Sequence, residues 1–252
     1  MPAVMSQGHR INYTLAGTGP LVVLQHGFLD SSASWNDLGY AAAISNRYTV
    51  ACVDSLGHGD SDKPLEAERY QQQARAADLV AVIDDLGFEQ AHLVGYSMGG
   101  WMSAGVAKYF PERLASLAIG GWDYVDGIKT AFAGMGVERI EFEMFIGFAR
   151  ESAPALTEWV TNEVLGALAP CFSALYEIDG NADAVNALDV PVMLWNGEAD
   201  AYHGPMRYAA IDQGFSYFSA PGDHLSSYME QAPDFSRALL TFFDRAQARG
   251  AR

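Results

Sequence analysis

The chain has 252 residues, half of them hydrophobic and 18% charged, which suits a globular protein with a substantial core. Its formal net charge of −16 argues against nucleic acid or an anionic membrane as partner, and against a polyanionic substrate. No run of about 18 apolar residues marks a membrane span. Met1 to Arg10 lacks the apolar stretch of a secretory leader, and the two cysteines, Cys52 and Cys171, build no disulfide framework. A cytoplasmic location is the expectation.

Ile11 to Leu15 reads as a short strand, followed by a turn at Ala16 to Pro20. Leu21 to Leu24 is a continuous apolar run, typical of a strand buried on both faces, and it ends in Gln25-His26-Gly27-Phe28. Trp35 to Ser45 has a helical pattern. Tyr48 to Val53 is a second buried strand, ending in a loop of turn formers from Asp54 to Ser61. Ala74, Ala77, Val80, Ala81 and Ile83 place a helix over Tyr70 to Leu86. Ala91 to Tyr96 is an apolar strand that breaks at Ser97, and a helix follows through Met98, Met102, Val106 and Tyr109 until Pro111. Leu114 to Ile119, Val190 to Trp195 and Phe215 to Ser219 are further strands, and Pro233 to Phe243 is a closing helix.

Strands alternating with helices predict an α/β fold with a parallel sheet covered on both faces. Trp122 to Leu188 breaks the alternation. It is helix-like, rich in large apolar residues such as Phe132, Met135, Phe142, Phe145, Phe148 and Trp159, and has no strand pattern. The acids Glu138, Glu141 and Glu143 suggest a solvated helix face. The expected organisation is a core of residues 1–121 and 189–252 with a helical cap, 122–188, over the carboxyl ends of the strands, where open α/β sheets bind ligands.

Gly95-Tyr96-Ser97-Met98-Gly99 fits G-x-S-x-G, the strand-to-helix turn that lifts a serine out of the backbone. In a chain with 25 Gly the pattern arises by chance about one time in six, so the strand before it and the helix after it carry the argument. A serine needs a base, and the base needs an orienting acid. In this kind of fold they follow in the order serine, acid, histidine, each after a later strand. Asp200, after the Val190 to Trp195 strand, and His224, after the Phe215 to Ser219 strand, supply that order. Asp123 and Glu198 are rival acids, and His203 is a rival base. His92 falls at the opposite end of its strand from Ser97. His58 reads as structural, and Asp54 as a brace for its turn. His26 reads as fixing the loop that carries an oxyanion donor. The two donors expected are the backbone N–H groups of Phe28 and Met98. Phe28, Trp122, Phe145 and His203 are the expected substrate-pocket residues. No pair of histidines has zinc-ligand spacing.

With these residues placed, the chain resembles the α/β-hydrolase fold superfamily over nearly its whole length. His26-Gly27-Phe28, the Asp54 to Ser61 loop, Gly95 to Gly100, Gly197-Glu-Ala-Asp200 and Gly222-Asp-His224 carry the resemblance. It implies an eight-stranded, mostly parallel sheet with a helical cap after the sixth strand. Ser97 sets the chain apart from relatives resembling haloalkane dehalogenases and epoxide hydrolases, which attack with a carboxylate at this turn. Hydrolysis of an ester, lactone or thioester remains, as do carbon–carbon bond hydrolysis of ring-cleavage products and perhydrolase activity. So do a ligand sensor with a retained triad and a lyase like that of menaquinone synthesis. That lyase is similar in Gly-Tyr-Ser-Met-Gly-Gly but has an arginine where Trp101 stands here. The favoured reading is a serine hydrolase of a small to medium, largely uncharged carboxylic ester, using no metal or cofactor, as a monomer or homodimer.

Overall fold

A computed structural model describes residues 1–137 and 139–250, with the side chains of Met135, Arg249 and Gly250 outside the description. Eight strands form one sheet: β1 (Ala3–Ser6), β2 (His9–Ala16), β3 (Leu21–Gln25), β4 (Thr49–Val53), β5 (Ala91–Tyr96), β6 (Leu114–Gly120), β7 (Val192–Gly197) and β8 (Ser216–Ala220). Their order across the sheet is β1-β2-β4-β3-β5-β6-β7-β8. The β1–β2 and β2–β4 pairs are antiparallel, and every pair from β4 to β8 is parallel. This is the α/β-hydrolase architecture, with all six parallel strands ending on the same edge.

The apolar runs work as two-sided strands because successive side chains point to opposite faces. Val23, Ala51, Leu93, Leu117 and Leu194 share one core with the helices Gln72–Asp85 and Met98–Tyr109. Val22, Val50, Val94, Ala118 and Met193, their neighbours in the same strands, share the other with Trp35, Tyr40, Ile44 and the Phe235, Leu239 and Phe243 side of helix Ala232–Gly250. Asp54 braces its loop, as its position suggests: one carboxylate oxygen accepts the Ser32 N–H at 2.8 Å and the other the Asp60 N–H at 3.0 Å.

Some boundaries differ from the sequence reading. The Trp35 to Ser45 pattern is two helices, Ser32–Asp37 and Tyr40–Ile44, because Gly39 between them takes a left-handed φ of 86°. Strand β1 escapes the pattern because it is short and mostly exposed. Its turn into β2 is Gln7-Gly8, both at positive φ (49° and 86°), the backbone of a tight hairpin but without the Asn or Asp that usually announces it. The closing helix runs on to Gly250.

Between β6 and β7 lie the helices Ile128–Phe132, Phe142–Ser152, Pro154–Thr157, Asn162–Ala174 and Asn181–Asn186, and no strand among the described residues. Glu141 and Glu143 are exposed as expected, whereas Glu138 lies outside the described residues. Among the described residues no helix is long and apolar enough to cross a membrane.

The tightest packing is where β5 turns into helix Met98–Tyr109. A Cβ on Gly95 would stand 2.0 Å from the Gly99 carbonyl oxygen, and one on Gly99 would stand 2.1 Å from the Gln25 carbonyl oxygen. Both obstacles are backbone. Gly95→Ala should therefore cost on the order of 3 kcal/mol, lowering the thermal midpoint by roughly 6–12 °C for a chain of this size. Gly147→Ala, in the exposed helix Phe142–Ser152 with open space around it, should instead stabilise by about 0.5–1 kcal/mol. Scanning calorimetry of both variants checks the contrast.

Candidate active site

Ser97 sits at φ 55° and ψ −118°, a backbone region that ordinary side chains avoid. The strain persists because the chain is held on both sides: the Ser97 N–H donates to the Gly120 carbonyl at 2.8 Å, and its carbonyl accepts from the Gly100 and Trp101 N–H groups. The turn presents Oγ at the carboxyl edge of the sheet, 3.0 Å from Nε2 of His224. On the far side of that ring, Nδ1 lies 3.0 Å from Oδ2 of Asp200.

Asp200 and His224 come from separate loops that are tied together. The Glu198 and Ala199 N–H groups donate to the carbonyls of Ala220 and Gly222, both at 2.9 Å. Asp200 is buried, and its other carboxylate oxygen accepts the Tyr202 N–H at 3.0 Å. His224 opens helix His224–Glu230, whose N-cap is Asp223; the Asp223 carboxylate accepts the Leu225 and Ser226 N–H groups, and Ser226 Oγ accepts the Asp223 N–H in return. These bonds hold the exposed Asp223 carboxyl below its ordinary value, the Ser226 N–H first among them. The Tyr96 hydroxyl donates to the His224 carbonyl at 2.6 Å. Gly121, at φ 52°, leaves room for the imidazole, since a Cβ there would meet its Cε1 at 3.0 Å.

The rival groups lie elsewhere. Asp123 is buried but spends its carboxylate on the Val125 and Asp126 N–H groups and on the Thr130 hydroxyl, at the entrance to the helical segment. Glu198 is exposed. His92 is buried against Ser116, with its Nδ1 2.8 Å from the hydroxyl. His203 requires a correction: it does not line the cavity beside Ser97. It is the first residue of helix His203–Gln213, and its Nδ1 meets the Tyr217 hydroxyl at 2.9 Å, on the β8 side of the loop.

The loop after β3 is pinned from three directions. His26 Nδ1–H donates to the Gly27 carbonyl at 2.7 Å, and its Nε2 accepts the Ser55 N–H at 3.0 Å. The Leu29 N–H donates to Nε2 of His58 at 3.3 Å, and Trp159 from the helical segment donates its indole N–H to the Leu29 carbonyl at 2.9 Å. Leu29 itself has a left-handed φ of 67°. A Cβ on Gly27 would lie 3.2 Å from Cβ of Ser97, so the loop passes directly beside the serine. Neither the Phe28 N–H nor the Met98 N–H donates to a protein acceptor among the described residues.

Ser97, Asp200 and His224 open into a cavity of about 670 Å³. Phe28, Trp122 and Phe145 line it, as expected. Phe28 meets Phe145 edge-on with ring centroids 5.6 Å apart, and Phe145 stacks on Phe172 at 4.6 Å. Phe172 and Tyr202 also line it, and sequence reading missed both. Phe172 had no signal beyond its place among many aromatics. Tyr202 had one, its position two residues after the acid. Among the described residues no lysine or arginine lines the cavity, and the carboxylates that do are Asp30, Asp37, Asp200 and Asp223. Trp101 is fully buried outside it, donating its indole N–H to the Glu177 carbonyl at 2.8 Å.

The comparisons agree with this architecture. A family model described as the alpha/beta hydrolase fold matches residues 20–123. The enol-lactonase of Burkholderia xenovorans LB400 superposes with a TM-score of 0.77 at 20% identity, covering 96% of this chain and 100% of that one. The chain has the α/β-hydrolase fold, and its residues 20–123 match that family's model. Among curated relatives, a Bacillus subtilis (strain 168) protein whose name assigns it provisionally as a 2-succinyl-6-hydroxy-2,4-cyclohexadiene-1-carboxylate synthase is 35% identical over 124 residues, 48% of this chain and 43% of that protein. A fluoroacetate dehalogenase from Burkholderia sp is 38% identical over 112 residues, 43% of this chain and 36% of that enzyme. Each match thus spans less than half of the relative's own length.

Burial lowers the proton affinity of three histidines, two beside the Phe28 loop and His92 at the far end of β5. His26 and His58 are pushed below the ordinary histidine value, His58 well below it, and His92 is pushed down to about 4. The unfolded chain takes up protons below about pH 6.5 that these folded groups refuse, so stability is full above that value and declines as the pH falls towards 4. His92 alone should remove about 2 kcal/mol by pH 5, at about 1.4 kcal/mol per unit below 6.5. Urea midpoints measured from pH 8 to pH 5 should fall accordingly, and a flat or rising series contradicts this account.

Proposed function

We propose that the protein is a serine hydrolase of a small or medium, uncharged carboxylic ester or lactone. The observation that carries the reading is the hydrogen-bonded row from Asp200 through His224 to Ser97, 3.0 Å at each step, opening into a largely apolar cavity that no lysine or arginine lines among the described residues. Helices of residues 122–188 act in this reading as a cap that supplies much of the apolar wall.

In the first half-reaction His224 Nε2 takes the proton of Ser97 Oγ as the oxygen attacks the ester carbonyl. Asp200 keeps the imidazole in the tautomer with its proton on Nδ1 and stabilises the imidazolium that forms. The carbonyl oxygen becomes an oxyanion, and the N–H groups of Phe28 and Met98 receive it, the latter at the first residue of a helix. His224 returns its proton to the departing alkoxide, leaving an acyl-enzyme on Ser97. Water, deprotonated by the same nitrogen, then releases the acid.

The likeness to an enol-lactonase supports a carbonyl substrate only through the shared fold. A synthase reaction on a carboxylate-bearing substrate is disfavoured by the cavity's own charge, because among the described residues four carboxylates and no lysine or arginine line it. A carboxylate-nucleophile reaction is disfavoured by the serine at position 97.

Ser97→Ala should lower kcat on p-nitrophenyl esters by about 10⁴-fold or more. Asp200→Asn should cost about 10⁴-fold, while Asp123→Asn should stay within about tenfold of the parent. Steady-state kinetics on the three variants decide the assignment, and a larger loss for Asp123→Asn reverses it. A parent protein that turns over no ester or lactone in such a screen would favour a ligand sensor.

Phe145→Ala should change the relative kcat/KM of neighbouring acyl chain lengths by roughly 5–150-fold, the range of about 1–3 kcal/mol per methylene in an apolar pocket. A p-nitrophenyl ester chain-length series measures it, and an unaltered preference would mean that the acyl group lies elsewhere.

A further inference from the structure

The polar groups of the cavity are almost all spoken for. The Tyr96 hydroxyl donates to the His224 carbonyl, the Tyr228 hydroxyl pairs with Ser34, and the Ser152 hydroxyl donates to the Phe148 carbonyl. The carboxylates only accept. Among the described residues two donors remain without acceptors, on neighbouring rings, and only one of them is open to the cavity. Tyr202 is 5% exposed and lines the cavity, and its hydroxyl has no hydrogen-bond partner among the described residues. Trp122 is 1% exposed and lines the cavity as well, but its indole N–H, without an acceptor among the described residues, is sealed from it. Their ring centroids are 5.9 Å apart, and the Tyr202 ring lies 5.7 Å from that of His224.

We propose that Tyr202 is a specificity-determining residue: its hydroxyl donates to a neutral oxygen acceptor on the substrate. The substrates selected are then esters or lactones that carry a second, uncharged carbonyl or ether oxygen, in preference to plain hydrocarbon esters and to carboxylates. The proposal rests on the ester-hydrolase reading of the same site.

A ligand that covers the Tyr202 hydroxyl without accepting from it leaves a donor buried and unpaired, which is costly, and a ligand oxygen placed against it avoids that cost. Sites that hold such donors discriminate strongly against ligands lacking the acceptor. The position is preset, because the Tyr202 N–H is bonded to the same carboxylate that orients His224. Burial, reinforced by the charges of Asp200 and Asp123, raises the Tyr202 phenol well above its ordinary value, so it remains a donor throughout the working pH range. The same charges, with no lysine or arginine in the cavity wall among the described residues, oppose a carboxylate in this place.

The test is binding to the Ser97→Ala variant, which holds an ester without consuming it. Isothermal titration compares plain aliphatic methyl esters and alkyl acetates with keto esters of matched shape, the extra carbonyl being moved stepwise along either arm. At least one keto ester should bind about tenfold more tightly than its plain parent. In Ser97→Ala/Tyr202→Phe that ratio should fall to about one; a residue that only shaped the wall would weaken both ligands alike. The infrared band of the ¹³C-labelled ketone bound to Ser97→Ala supplies a readout that needs no change at Tyr202, and it should move to lower wavenumber than in an apolar solvent. An absent keto preference, a ratio that survives Tyr202→Phe, or an unshifted band overturns the proposal. Failure of the ester-hydrolase reading shows separately, as a parent protein without ester turnover.

Discussion

The close approach of helix Met98–Tyr109 to strands β3 and β5 is the constraint on which the site depends. Backbone meets backbone there, and only glycine fits at positions 95 and 99. The chain must reverse direction within one residue, and Ser97 takes the strained conformation that results. The consequences are chemical. The side chain stands clear of the sheet, the first N–H of the helix lies next to it, and Gly27 of the neighbouring loop reaches to its Cβ. Much of the remaining construction serves to hold other groups against this fixed point.

His224 is held by a helix cap, by the Tyr96 hydroxyl and by the space left at Gly121. The Phe28 loop is held by two buried neutral histidines and by Trp159. The last of these links matters because Trp159 belongs to the helical segment between β6 and β7. That segment is therefore joined to the loop beside the serine as well as forming the wall above it. The cavity's charge follows from the same assembly. The wall is largely aromatic, it includes four carboxylates, and among the described residues no lysine or arginine lines it. A neutral substrate is what such a cavity solvates least badly against its alternatives.

The fold was largely legible in the sequence because its strands are continuous apolar runs and its catalytic-type residues sit at strand ends. Ser97 could be read because the steric demand of its turn leaves a glycine at two fixed offsets. Asp200 and His224 could be read because chain order and strand ends limit the candidates. What was hidden depends on distances that no local pattern carries. His203 lies three residues from Asp200, yet one helical start turns it towards Tyr217. Tyr202, one residue earlier, faces the cavity instead. Phe172 reaches Phe145 and Phe28 only through the packing of its helix on the others. Strand β1 was hidden because an exposed edge strand needs little apolar content, and its turn used glutamine before glycine.

The central claim is that Ser97 is the nucleophile and that His224 activates it. A neutral p-nitrophenyl alkylphosphonate tests it most directly, since it phosphonylates an activated serine without needing the natural substrate. Intact mass spectrometry followed by peptide mapping should find one adduct, on Ser97, formed at least a hundredfold more slowly in His224→Gln and absent from Ser97→Ala. An adduct on another residue, or labelling as rapid in His224→Gln as in the parent protein, would contradict the account.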